Sequence, residues 1–283
     1  MPQAGSQNSE AGTETLRYLP GTITSMTQIK NGPEDVATHR FAQTSEPQAR
    51  IGAIGEGKAR IGAIIDLPQL LMELGLDPNH VCSRSGVDPR IFDDPENRIT
   101  DLALGKLLAN CALLSQRADF GLMLGARFTL CNLGVLGDLM RHSATLSEAL
   151  RSLILYLHFY DRLAFPILLR IQPSVVFLGY SIQHPTLPGT PQLYDTSITI
   201  AYRMIRELMG QAWHVNYAQF SHTQPDNCTT YRRVFGPKVL FDAESSGICF
   251  DASWLNKEVP GANPERFQQL DALIQDAHAS EHM

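Results

Sequence analysis

Gly52-Ala53-Ile54-Gly55-Glu56-Gly57-Lys58-Ala59 places glycines and a lysine much as a phosphate-cradling loop does. Such a loop needs Ser or Thr after the lysine to hold Mg²⁺, a buried strand before it, and a helix after it whose N-terminal dipole meets the phosphates. Here Ala59 follows the lysine, the upstream run Gln43 to Gln48 is polar and contains Pro47, and Gly62 and Pro68 interrupt what comes next. Nucleotide binding is therefore not expected. Metal chemistry is no better served, because His80 and Cys82 lie two apart and His214 and His222 bound a candidate strand without the paired-ligand spacing of a zinc site. There is no Gly-x-Ser-x-Gly elbow and no Cys-x-x-Cys, so no residue is marked as an activated nucleophile or redox pair. The sequence predicts no catalytic residue, no metal and no cofactor.

What remains are polar-tipped residues that interrupt apolar elements. Ligand pockets show this pattern, being mainly apolar with a few placed polar groups. His158, Phe159 and Tyr160 end an apolar helical stretch, Arg170 and Tyr180 lie on two β-rich runs, and Tyr202 and Trp213 flank a long helical one. Tyr160, Arg170, Tyr180 and Tyr202 are the candidate ligand-binding residues. Each has a second reading: Tyr and Trp also sit at the rim of a core with the polar tip in water, and Arg170 would serve on an exposed strand face. Arg232 and Arg233 could meet an anion or simply form a solvated helix face.

The elements that must position these residues change character along the chain. Leu67, Leu70, Leu71 and Leu74 form one helical stripe, and Thr100 can cap a helix carrying Leu104, Leu107, Leu108 and Cys111. Shorter helices are expected near Asp119 to Phe128 and Leu133 to Arg141. Thr145 with Glu148 three residues on is a capping box opening a helix with Leu146, Leu150, Leu153 and Leu157. The first half thus reads as all-helical. Ala164 to Ile171 and Val175 to Ile182, joined by Gln172-Pro173-Ser174, then read as a hairpin. A long helix from about Gln192 to Met209 ends at Gly210, Val215 to Phe220 is a third strand, and Cys228 to Phe235 a short helix. Val239 to Asp242 and Gly247 to Phe250 read as a second hairpin, and Pro264 to Ala279 as a final helix. The fold class is α+β: an N-terminal helical half followed by an antiparallel sheet packed with helices.

Length and composition bound the rest. With 283 residues, 43% of them hydrophobic, the chain can bury a sizeable core. A net charge of −6 lacks the positive field that draws proteins to phosphate backbones. Five widely spaced cysteines fit reduced thiols in the cytoplasm better than a disulfide framework. No signal-peptide pattern or run of ~18 to 20 apolar residues is present, so no membrane partner is expected. Residues 1–58 are rich in Gly, Ser, Thr, Gln and Pro and read as a disordered extension. The hexapeptide Ala49-Arg50-Ile51-Gly52-Ala53-Ile54 recurs as Ala59 to Ile64, too short for a solenoid unit, and only the second copy is expected to join the fold.

Tyr231-Arg232-Arg233-Val234-Phe235-Gly236-Pro237-Lys238-Val239-Leu240-Phe241, followed by Phe250-Asp251-Ala252 and Pro260-Gly261-Ala262-Asn263-Pro264, resembles the end of the N-terminal effector domain of AraC-type transcription regulators. Upstream, Leu74-Gly75-Leu76-Asp77-Pro78, Gly86-Val87-Asp88-Pro89, Phe120-Gly121-Leu122-Met123-Leu124-Gly125 and Thr145 to Leu150 follow in the expected order, so the resemblance runs from about Leu67 to Pro264. It implies an effector-sensing domain at 59–264 that binds a small organic effector and dimerises, either with itself or with a full-length regulator. Residues 265–283 are then a helix or linker leading toward a helix-turn-helix that this sequence does not contain, so no direct DNA binding is expected. The effector is expected between the helical half and the α+β half. A small-molecule enzyme on the same fold and a ligand-free interaction module are the alternatives; converged titratable groups in a pocket would favour the former, a filled interior the latter.

Overall fold

Residues 58–182 and 186–281 are described by the computed structural model of the chain. Gly52 to Gly57 of the phosphate-loop pattern, the first hexapeptide copy and the expected extension lie outside them, apart from Lys58 at the extension's boundary. In the second copy, Ala59 and Arg60 belong to β1 (Lys58–Arg60) and the rest forms a 3₁₀ turn in which Ile61 and Ile64 are buried.

The N-terminal half then builds a helical layer: α1 (Leu67–Glu73), α2 (Pro78–Ser85), β2 (Arg98–Thr100), α3 (Asp101–Ser115), α4 (Phe120–Gly125), α5 (Val135–His142) and α6 (Leu146–Tyr160). Local chemistry sets several boundaries. Thr100 Oγ1 accepts the Ala103 N–H at 3.3 Å, capping α3 as its position suggested. Thr145 caps α6 in the same way through the Glu148 N–H at 3.3 Å, but the Glu148 carboxylate takes the Ala144 N–H at 2.5 Å rather than that of Thr145. One expectation is corrected here: this half is not all-helical, because β1 and β2 form a two-stranded antiparallel ribbon that ties Lys58 to Arg60 against Arg98 to Thr100.

The second half comprises β3 (Ala164–Gln172), β4 (Val175–Ile182), α7 (Thr190–Met209), β5 (Tyr217–Gln219), α8 (Thr229–Phe235), β6 (Val239–Leu240), β7 (Gly247–Asp251) and α9 (Pro264–Glu281). The fold is α+β. β3 and β4 form the expected hairpin, but the second hairpin is not formed. The sheet order is β3-β4-β7-β5-β6: β7 lies between β4 and β5, and two-residue β6 pairs in parallel with β5, so the sheet is mixed. Apolar alternation identifies a strand without naming its neighbour, and β5 competes successfully for the β7 edge.

Two cores result. The larger joins α5, α6, the sheet, α8 and α9, with Trp213, Phe220, Phe250 and Tyr231 essentially inaccessible. The smaller joins the first helices around Leu67, Leu71, Leu107, Leu108 and Phe120. α7 belongs to both, giving Leu193 to the smaller and Ile198, Ile205 and Leu208 to the larger. Glycines bring α4 onto it: a methyl group at Gly121 would lie 2.5 Å from the Gln192 carbonyl and 2.8 Å from Asp195 Cβ, and one at Gly125 would lie 2.6 Å from the Thr196 carbonyl. The Gln192 amide closes this contact, accepting from Gly121 N at 2.7 Å and donating to the Ala118 carbonyl at 2.8 Å. Gly121→Ala should therefore lower stability by about 2 kcal/mol even though Ala is the better helix former, because backbone must move to admit the methyl group. Urea unfolding should show a lower midpoint with an unchanged slope. An unchanged midpoint would show that α4 can slide on α7.

Candidate functional site

Where the two cores meet they leave a cavity of about 120 Å³. Its floor is α7, which presents Leu193, Ser197, Ile200, Ala201 and Met204 on successive turns, consistent with a 3.6-residue period. Leu153, Leu157 and Tyr160 of α6 form one wall and Leu178, Tyr180 and Ile182 of β4 another. The first helices and the β1–β2 ribbon close it with Ile64, Ile99, Leu104 and Leu108. Most of the lining is aliphatic.

The polar groups collect at one end, where α6 stops. Asp161, the residue after α6, accepts the Leu163 N–H at 2.7 Å through one carboxylate oxygen and the Tyr180 phenol through the other in a short hydrogen bond. The Ser197 hydroxyl in turn bonds the Tyr180 oxygen. Asp161 is partly buried, and desolvation pushes its carboxyl above the usual carboxylate range despite these two donors. Burial together with the neighbouring Asp161 likewise drives the Tyr180 phenol well above its ordinary value. Beside them the Arg60 guanidinium stands 5.3 Å from the centre of the Tyr160 ring, a cation–π contact. Arg60 is already spent: Nε donates to Glu96 at 2.7 Å, a second short bond completes the fork, and the remaining nitrogen reaches the Asn132 carbonyl at 3.1 Å.

The structure brings Tyr160 and Tyr180 together on this cavity, from α6 and β4. Arg170 stands elsewhere, exposed near the tip of the β3–β4 hairpin, where it donates to the Pro173 carbonyl at 2.8 Å. Tyr202 also stands elsewhere, one position along α7 from the lining residue Ala201, with its ring 5.4 Å from Trp213 and 5.5 Å from Phe235. Arg232 and Arg233 are exposed on α8. Sequence reading passed over Asp161, Arg60 and Ser197. Asp161 did carry a signal, since an acidic residue at a helix C-terminus opposes the helix dipole and needs another reason to be there.

A second polar cluster lies off the cavity. Asp195, fully buried on the far face of α7, accepts from His222 at 2.9 Å and from the Tyr231 phenol at 2.7 Å, while Asp119 is held by Arg117 and by Thr230 at 2.5 Å. These bonds fasten α4, α7, α8 and the loop after β5. Among the described residues no group of three or more His, Cys, Asp and Glu side chains could hold a metal ion, and no helix is long and apolar enough to cross a membrane.

A mainly apolar enclosure with a few converging polar groups at one end is the form that small-molecule sites take. Residues 75–259 match the sequence model of the arabinose-binding domain of AraC transcription regulators, N-terminal, and the chain belongs to that family. It is similar to the HTH-type transcriptional regulator VirS of Mycobacterium tuberculosis, 28% identical over 221 residues that make up 76% of this chain and 65% of VirS. It is also similar to the ornithine utilization regulator of Pseudomonas aeruginosa, 23% identical over 74% of this chain and 62% of that protein. The chain thus spans somewhat less than two thirds of the length of these curated relatives. The fold resembles the crystal structure of the transcriptional regulator CdpR from P. aeruginosa, with a TM-score of 0.53 and 18% identity over 69% of this chain and 60% of that one.

The raised carboxyl at Asp161 has a measurable consequence. A carboxyl that titrates higher in the folded protein than in the unfolded chain destabilises the fold when ionised, so its cost is absent below about pH 4 and grows as pH rises through the native pKa. Each unit of elevation corresponds to about 1.4 kcal/mol. The stability of Asp161→Asn relative to the parent should therefore rise between about pH 4 and pH 8, whatever the constant offset from altered hydrogen bonding. Urea melts across that range check it, and a flat difference would show that Asp161 ionises without penalty.

Proposed function

We propose that this chain is a ligand-sensing regulatory domain, in which a small organic effector enters the cavity between the helical layer and the sheet. The observation that carries this reading is the cavity itself, lined by aliphatic side chains from both cores and closed at one end by Tyr160, Asp161, Tyr180 and Ser197. Its volume is close to the roughly 150 Å³ of an apolar cavity that holds benzene, so a single small ring or a short aliphatic body would fit. Occupancy would bridge two cores that meet along α7, α4 and β4, which is how a ligand favours one arrangement over another. Transcription control, as named for the related regulators, supports placing this sensor in a cytoplasmic regulator, and the net charge of −6 supports a domain that makes no DNA contact of its own.

Assembly with a second copy or with a full-length regulator belongs to the same proposal. It is supported by edge strand β3, which leaves Phe165 and Leu169 about half exposed on one face and Ile171 about as exposed at the bulge beyond them. A catalytic role has less support. Asp195, His222 and Tyr231 lie off the cavity, and the titratable groups at the cavity end are engaged with one another, with Glu96 or, for Tyr160, with the Leu136 backbone.

A thermal-shift screen of small organic compounds tests the sensor reading. Ligand at about 100 times its dissociation constant should add about 2.7 kcal/mol of stability. Ala201→Leu fills part of the cavity from α7 and should keep or raise the melting temperature, as cavity-filling changes do, while abolishing the response. Compounds that stabilise parent and variant equally would be binding elsewhere, and the reading would fail.

A further inference from the structure

Among the described residues, the polar end of the cavity is unbalanced in charge. Arg60 is the cation that the described residues place there, and that guanidinium is consumed by the Glu96 carboxylate and the Asn132 carbonyl. The Thr196 hydroxyl is turned back to the Gln192 carbonyl at 2.8 Å within α7. Tyr180 donates its proton to Asp161. Asp161 itself has only neutral donors, one N–H and one phenol, and among the described residues no Lys, Arg or His pairs with it. An ionised carboxylate offers about four acceptor sites, so a carboxylate with one donor on each oxygen can still accept from a ligand. Holding such a group even partly out of water without a counter-charge costs stability, and a ligand that supplies the missing charge regains that cost on binding.

We infer that the cavity selects an effector with a small apolar body ending in an amine, whose ammonium group pairs with Asp161 while the body lies against Leu157, Leu178, Ile200 and Met204. This rests on the sensor reading above and adds the head group to it. The same arrangement rejects carboxylates and phosphates: an anionic head would meet Asp161 as a like charge, with Arg60 already neutralised. A hydroxyl head ranks between the two, since it can donate one hydrogen bond but brings no charge. Tyr180 positions the carboxylate, and Ser197 bonds its phenol from α7.

Four probes of one shape separate the possibilities: toluene, benzyl alcohol, benzylamine and benzoate, titrated into the full chain by ligand-observed NMR at about pH 7.5, where the amine and the acid are both charged. Benzylamine should bind at least about tenfold more tightly than benzoate, with toluene and benzyl alcohol between them. In Asp161→Asn that preference should collapse while toluene affinity is retained. In Tyr180→Phe, which leaves the carboxylate in place, the preference should persist. Benzoate binding as tightly as benzylamine, or an amine preference that survives Asp161→Asn, overturns the inference yet leaves the sensor reading intact. Failure of all four probes, toluene included, removes both. The comparison on the parent chain needs no variant, so a poorly folding Asp161→Asn would still leave the inference open to refutation.

Discussion

Everything in this domain is hung on the close approach of α4 to α7, made possible by the missing side chains at Gly121 and Gly125. α7 is twenty residues long and borders both cores, the cavity and the Asp195 cluster at once. Its position relative to the helical layer therefore fixes the width of the cavity and the reach of the Asp195 hydrogen bonds together. A displacement of α7 by even a fraction of an ångström would be felt at both, because protein interiors are close-packed and do not absorb such shifts locally. The glycines carry an entropic cost in a helix, and the structure offsets it with a contact no other residue permits.

Two carboxylates show how differently one residue type is handled. Asp195 meets a phenol and an imidazole: burial works against the His222 imidazolium, but Asp195 outweighs it and the His222 pKa ends raised. A His whose folded pKa is raised adds stability below its unfolded value near 6.5, and that stability is lost as pH rises through the folded value. Among the described residues Asp161 meets a phenol and a backbone N–H. Each carboxylate has a donor on both oxygens, but the first is a fastener inside a filled core with an imidazole beside it, while the second lines the cavity.

α6 links the cavity to the C-terminal helix. Leu153, Leu157 and Tyr160 line the cavity, while Tyr156 on the same helix donates to Asp271 of α9 at 2.5 Å. Leu270 and Ile274 seat α9 in the larger core. One rigid element thus touches both the cavity and the last helix of the domain.

Much of this was legible in the residues because local signals decide local structure. Thr100 and Thr145 mark helix starts through their own side chains, Gln172-Pro173-Ser174 forces the β3–β4 turn, and the apolar period of α7 is long enough to be unambiguous. The ordered motifs from Leu74 to Pro264 pointed to the AraC-type effector domain by the same kind of evidence, a series of turns and core positions at fixed spacing. Tertiary structure decided what depends on partners far apart in the chain. It chose β5 over β6 as the neighbour of β7, because strand patterning carries no information about pairing. It brought Tyr160 and Tyr180 onto one cavity and left Arg170 on the hairpin and Tyr202 against Trp213, because a one-residue step along a helix or strand turns a side chain to a different face. It also made Asp161 conspicuous. A carboxylate is ordinary until the fold draws it partly out of water with no cation beside it among the described residues, and only the packed structure determines both.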